Sequence, residues 1–122
     1  DTFPYNSGAT ASDTLRAGVP LVTFMGETLV SRMAGSLLHA LNLQELCTTS
    51  RRDYVELAIA LAKDAAKRQA IRQRLGEQLT TSVLYQPEKF AAQLEQLFNA
   101  MHEQARIGRR ETIDLTRRSA PA

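Results

Sequence analysis

Residues 21–24, Leu-Val-Thr-Phe, constrain this chain more than any other stretch: four β-favouring residues between Pro20 and Gly26, in a sequence whose remaining pattern is helical. A lone buried strand cannot satisfy its own backbone N–H and C=O groups and needs neighbours on both edges. Those neighbours are expected outside this sequence, with residues 1–3 as the end of one of them, because Pro4 cannot donate to a ladder and belongs at a strand's edge or end. On this reading the chain is the C-terminal part of an α/β domain, with one or two strands and about five helices.

The helices follow from caps and periodicity. Residues 9–17 are short, small and helix-compatible, with Leu15 as the main apolar residue and Gly18 as the stop. Thr28 caps a second helix that carries Leu29, Met33, Leu37 and Leu41 on one stripe, Val30 and Leu38 alongside, and Asn42 at its end. Ser50, forming a loose capping box with Asp53, starts a third helix with Tyr54, Leu57, Ala58 and Leu61 inward. Residues 65–79 form a fourth that buries Ile71, Leu75 and Leu79. Pro87 opens a fifth, with Phe90, Leu94, Leu97, Phe98 and Met101 recurring at spacings of three and four. After Gly108 the period stops, so residues 1–108 read as the partial domain and 109–122 as a flexible tail.

Composition narrows the function. A chain of 122 residues, 43% hydrophobic, is one domain or part of one, since single domains commonly run to roughly 100–200 residues. The 15 Lys and Arg against 13 Asp and Glu leave a net charge of +2, spread along the chain, which calls for neither nucleic acid nor an anionic membrane. The basic side chains of Lys67, Arg68, Arg72 and Arg74 read as a solvated face without interleaved aromatics, and Arg109-Arg110 and Arg117-Arg118 as two pairs on the tail. One cysteine, Cys47, excludes an internal disulfide and reads as an inert buried thiol. His39 and His102 have no partner at metal or triad spacing, so they read as packing residues and no metal site is expected. No apolar run approaches the roughly 18 residues that a membrane span requires, and the expected address is cytoplasmic. The sequence has no initiator Met and begins inside what looks like a motif, as a piece of something longer would.

The chemistry gathers in the opening stretch. Ser7-Gly8-Ala9-Thr10 leads into a helix, where orphan N–H groups and partial positive charge suit a phosphate, and Thr10 adds a hydroxyl. Asp13, one turn in, is placed to accept hydrogen bonds from ribose hydroxyls. The plainer alternative is an ordinary capped helix, with Thr10 or Ser7 as N-cap and Asp13 as a first-turn acid; the segment is neither a G-x-G-x-x-G nor a Walker-type loop. Tyr5 either lines a sugar pocket or packs, and Glu27 either touches a ligand at the strand's carboxyl edge or serves as a helix N-terminal acid.

The segments DTFPYNSGATASDTLRAGVPLVT, GETLVSRMAGSLLHALNLQELC and RRDYVELAIALAKD resemble, in one register from Asp1 to about Met101, the end of the catalytic region of the protein O-GlcNAc transferases and SPINDLY-like proteins, glycosyltransferases of GT-B fold. The resemblance implies the C-terminal half of a Rossmann-like nucleotide-sugar-binding domain, in a bacterial or SPINDLY-like member as judged from DTFPY. It implies that Gly8, Ala9 and Thr10 lie against the donor's diphosphate and sugar and that Asp13 holds the ribose, with Tyr5 and Ser7 completing the donor-binding set. Arg32, within the GETLVSR signature, is expected to pair with Asp13 or Glu27. O-GlcNAc transferases typically carry His-Thr-Thr where this chain has Gly8-Ala9-Thr10, and SPINDLY-like members a run of threonines. Two side-chain donors are therefore missing, at about 0.5–1.5 kcal/mol each if nothing replaces them.

The implied function is transfer of a sugar, GlcNAc from UDP-GlcNAc first and fucose from GDP-fucose as the alternative, to Ser or Thr hydroxyls of a protein acceptor. No cofactor is implied. The general base belongs to the upstream part of the catalytic region, so no residue here is expected to be catalytic and this piece alone is expected to be inactive. It is also expected to self-associate. A different class remains open at this stage, a helical interaction module built on residues 54–101 with the first 27 residues as an arm.

Overall fold

The computed structural model describes residues 1–115, which fall into two compact units divided between Tyr85 and Gln86. Arg117-Arg118 lies outside the described residues, and residues 109–115 carry no helix or strand.

The expected strand at 21–24 is shorter than its sequence promised. Only Thr23–Phe24 (β1) form a ladder, and the neighbour on one edge is inside this chain. Cys47–Thr48 (β2) run parallel to β1, with Thr23 opposite Cys47 and Phe24 opposite Thr48. A two-residue strand has no alternation to read, and Cys47 follows a 3-10 turn at Gln44–Leu46, so pattern alone passes over it. The pair is tied beyond its ladder: the Thr48 hydroxyl donates to the Thr23 carbonyl at 2.9 Å, and Met25 N–H to the Thr48 carbonyl at 2.8 Å. Residues 1–3 are not a strand, although the backbone nitrogen of Asp1 donates to the Val22 carbonyl at 3.2 Å.

Helix α1 spans Ala9–Arg16 and buries Ala11 and Leu15; Gly18 follows at φ 74°, a left-handed turn that glycine adopts without steric cost. The helix expected from Thr28 is broken in two. Thr28 instead caps a 3-10 turn at Leu29–Ser31, exchanging hydrogen bonds with Ser31 in a capping box. The chain then turns at Arg32, and α2 runs only over Met33–Ala40. Leu29, assigned to the inner stripe, is 83% exposed for that reason. The face that packs is Ala34, Gly35, Leu38 and Leu41, and Asn42 ends the segment at φ 53°. Parallel strands need a crossover of a dozen or more residues, and α2 lies within the one that joins β1 to β2.

Two more helices close the first unit. α3 (Arg51–Lys63) starts at Ser50, whose hydroxyl accepts from Asp53 N–H at 3.0 Å. α4 (Ala65–Thr81) starts at Asp64, whose carboxylate accepts from Lys67 N–H at 2.8 Å. The basic face of α4 is not simply solvated. Arg68 donates to the carbonyls of Leu61 and Ala62 at 2.5 and 2.7 Å, satisfying the end of α3, and Arg74 bridges Glu45 at 2.6 Å and the Asn42 carbonyl at 2.8 Å. The core joins Leu15, Leu38, Leu41, Leu43, Leu46, Leu61, Ile71 and Leu75. In the second unit α5 (Pro87–Arg106) begins with proline in its first turn, as its sequence predicts, but its apolar stripe is not buried: Phe90 and Phe98 are 57% and 56% exposed.

Leu38 is fully buried among leucines from four elements, so Leu38→Ala is expected to destabilise the first unit by about 2–5 kcal/mol. Urea unfolding followed by circular dichroism checks this, and a loss below about 1 kcal/mol contradicts a core centred there.

Candidate functional site

Residues 1–8 form a loop that leads into α1, whose N-terminus has no side-chain cap. The Asp1 carboxylate holds it at three points: Oδ1 accepts from Thr2 N–H at 2.8 Å and Ser7 N–H at 3.0 Å, and Oδ2 from the Thr23 hydroxyl at 2.8 Å. The Thr2 hydroxyl donates to the Tyr5 carbonyl at 2.7 Å and lies 3.3 Å from the Ser7 hydroxyl. Asn6 is fully buried; its N–H donates to the Val30 carbonyl at 2.9 Å, and Nδ2 to the carbonyls of Thr2 at 2.8 Å and Phe24 at 3.4 Å.

The capping assignment changes accordingly. Neither Ser7 nor Thr10 caps α1: the N-cap is Gly8, with no side-chain bond to the first turn. The amides of Ala9, Thr10 and Ala11 lie in the first turn, where no preceding helical carbonyl can receive them. Asp13 is the fifth residue of the helix, not a first-turn acid, and is exposed. The first turn thus has unpaired donors and no acid of its own, which favours an anion at this end. Ser7 is placed differently from its neighbours, since its amide already serves Asp1.

The other sequence-marked residues separate from this cluster to differing degrees. Tyr5 is 64% exposed on the same loop. Glu27 is exposed in a bend and precedes the 3-10 turn without entering it. Arg32 pairs with neither Asp13 nor Glu27; its Nη1 donates to the Gly26 carbonyl at 3.0 Å, closing the turn after β1. Gly8 has a close neighbour that sequence reading missed: a Cβ there would stand 2.6 Å from the Met33 methyl carbon. The far end of a methionine is flexible, so the space beside Gly8 can open when Met33 swings. Also missed was a cavity of about 410 Å³ lined by Asp1, Phe3, Phe24, Arg51 and Tyr54, with the rings of Phe3 and Phe24 stacked 4.3 Å apart.

Cys47 and His39 stand away from the loop. The His39 ring Nδ1 lies 2.9 Å from the Gly35 carbonyl and 3.8 Å from Cys47 Sγ. Burial pushes the Cys47 thiol above its ordinary range, Glu45 adds to the rise and Arg32 opposes it. Among the described residues no three His, Cys, Asp or Glu side chains converge to hold a metal, and no helix is long and apolar enough to cross a membrane.

A parallel strand pair with a crossover helix defines a piece of an α/β domain. The comparisons identify the family. The model of glycosyl transferase family 41 matches residues 1–94, and the chain belongs to that family. It is 35% identical over 101 residues to a probable UDP-N-acetylglucosamine–peptide N-acetylglucosaminyltransferase SPINDLY of Solanum lycopersicum, covering 83% of this chain and 11% of that protein. It is 33% identical over 108 residues to the UDP-N-acetylglucosamine–peptide N-acetylglucosaminyltransferase of Caenorhabditis elegans, covering 88% and 9%. Among solved structures, a mutant of the Thermobaculum terrenum O-GlcNAc transferase superposes with a TM-score of 0.76 at 32% identity, over 83% of this chain and 19% of that one. The chain therefore spans about a tenth of the curated relatives it matches. Among the described residues, its mostly helical fold with a two-stranded parallel sheet and five α-helices agrees with that match.

Because the folded thiol titrates above its unfolded counterpart, its contribution to stability is whole below the unfolded thiol's pKa and is lost as pH rises through the folded one. Cys47 is therefore expected to react with iodoacetamide more slowly than a free cysteine peptide between pH 8 and 9; equal rates contradict the raised thiol.

Proposed function

We propose that this chain is the donor-diphosphate and ribose edge of a protein O-glycosyltransferase of GT-B architecture, with residues 1–108 as the C-terminal half of its nucleotide-sugar-binding domain and 109–122 as a tail. The observation that carries the reading is the Gly8-capped, acid-free first turn of α1, lying in the segment that matches the family. In this assignment the amides of Ala9, Thr10 and Ala11 and the Thr10 hydroxyl face the diphosphate, Gly8 lets the backbone approach it, and Asp13 accepts from the ribose hydroxyls. Tyr5 and Ser7 border the sugar. The reaction moves the donor's sugar to a Ser or Thr hydroxyl of a protein acceptor, and the nucleoside diphosphate departs. Positive dipole and N–H groups stabilise the charge that builds on that leaving group.

The donor is UDP-GlcNAc, in keeping with the names of the relatives, and GDP-fucose is the alternative. No residue of this chain is assigned as general base; that group comes from the remainder of the catalytic region. A cytoplasmic, bacterial enzyme fits the absence of a spanning helix among the described residues and the DTFPY opening. The small Gly8-Ala9 pair leaves the diphosphate to backbone donors, so the affinity is open to improvement by a side chain.

Titration calorimetry of UDP and GDP into the full-length protein tests the assignment. Binding of UDP over GDP supports the GlcNAc donor, preference for GDP moves it to the fucosyl branch, and binding of neither overturns the donor-edge reading. Asp13→Ala is expected to weaken nucleotide binding about tenfold with the helix content unchanged, since hydrogen bonds to a charged group contribute about 1.5–3 kcal/mol. Ala9→Thr, which adds a hydroxyl at the first helical position, is expected to strengthen binding by up to about tenfold; weaker binding counts against the placement of that residue.

A further inference from the structure

The loop that presents residues 7–13 contains a buried side chain that touches no proposed ligand yet bonds to the segments on either side. Asn6 is 0% exposed. Its Nδ2 donates to the carbonyl of Thr2, at the start of the loop, and to that of Phe24, the last residue of β1; its own N–H donates to Val30, in the turn after β1. Both Nδ2 partners are carbonyls, which fixes the orientation of the amide and leaves Oδ1 buried without a partner. An unpaired buried acceptor is a destabilising feature, and an apolar residue of the same shape would fill the space without it. What an apolar residue cannot do is tie these carbonyls together. Residue 6 is followed at once by Ser7, whose amide is held by Asp1, and then by the Gly8 cap of α1. Asn6 thus sets the direction in which the chain enters the helix, relative to the carboxyl end of β1.

We propose that Asn6 is the positioning residue of the donor edge: its Nδ2 ties the start of the loop to the end of β1, beside the backbone bond from residue 6 to Val30, so that the amides of Ala9, Thr10 and Ala11 are aimed before the nucleotide arrives. The inference rests on the donor-edge reading of residues 7–13. Asn6 acts through those amides and makes no contact with substrate. Preorganised donors matter most where charge develops, so loss of aim is expected to lower kcat and nucleotide affinity while leaving the KM for the acceptor unchanged.

The test uses the full-length protein with Asn6→Ala and Asn6→Asp, and Leu38→Ala as a core variant outside the loop. Asn6→Asp keeps the shape and removes both Nδ2 donations; Asn6→Ala removes them without adding charge. Well below the unfolding midpoint of each variant, both are expected to lose about tenfold in UDP or GDP affinity and in kcat, with the KM for an acceptor peptide unchanged. Leu38→Ala is expected to lower the unfolding midpoint while keeping affinity and kcat. Wild-type affinity in the folded Asn6 variants overturns the proposal, as does an equal loss in Leu38→Ala, which makes the effect one of stability. A loss confined to Asn6→Asp also overturns it, because charge repulsion then accounts for the change. Asn6→Ser carries the neutral arm if Asn6→Ala does not fold. If the wild-type protein binds neither nucleotide, the donor-edge reading fails and this inference with it; if it binds and the Asn6 variants bind equally, only this inference fails.

Discussion

The parallel pairing of Thr23–Phe24 with Cys47–Thr48 is the constraint on which the first unit depends. Two residues per strand make a short ladder, and it is held by added bonds from the Thr48 hydroxyl and the Met25 amide. Because the pair is parallel, the chain must cross over between its strands, and that crossover contains α2, whose Leu38 joins the core with Leu41 just after it. The same pairing fixes where β1 stops. At its start the Asp1 carboxylate takes the Thr23 hydroxyl and the Ser7 amide, so the sheet and the opening loop share one anchor.

The anchor also divides the chemistry of the loop. A carboxylate beside a segment proposed to receive an anion is unfavourable in isolation, yet its oxygens are occupied by Thr2, Ser7 and Thr23. The cost falls on Ser7, whose amide is withdrawn from any ligand, while the first turn of α1 retains its donors. Gly8 at the cap, with Met33 against it, leaves the backbone as the main feature that an approaching ligand would meet. On the proposed reading, such a site relies on rigid placement of amides more than on side-chain chemistry, which is the role proposed for the buried Asn6.

Much of the fold is legible in the sequence. Ser50, Pro87 and Asn42 mark helix ends by local chemistry, and the structure places helix ends there. Ile71 and Leu75 are buried as their spacing indicates. The failures share a cause: they occur where tertiary bonding overrides a local pattern. The Thr28 cap closes on Ser31, so Leu29 follows a helical period on paper while pointing outward in the fold. Cys47–Thr48 is a strand because Thr23 and Phe24 lie beside it, which no two-residue window reveals. In the opening loop, the cap fell on Gly8 and not on Ser7 or Thr10, because the Asp1 and Asn6 bonds join residues whose relation is set by the fold.

The central claim is that the first turn of α1 receives the diphosphate of a nucleotide sugar. A crystal structure of the full-length protein with its nucleoside diphosphate tests it most directly. Phosphate oxygens within hydrogen-bonding distance of the Ala9, Thr10 or Ala11 amides, with a ribose hydroxyl on Asp13, are the result expected; a nucleotide bound with its phosphates away from this turn would contradict the account.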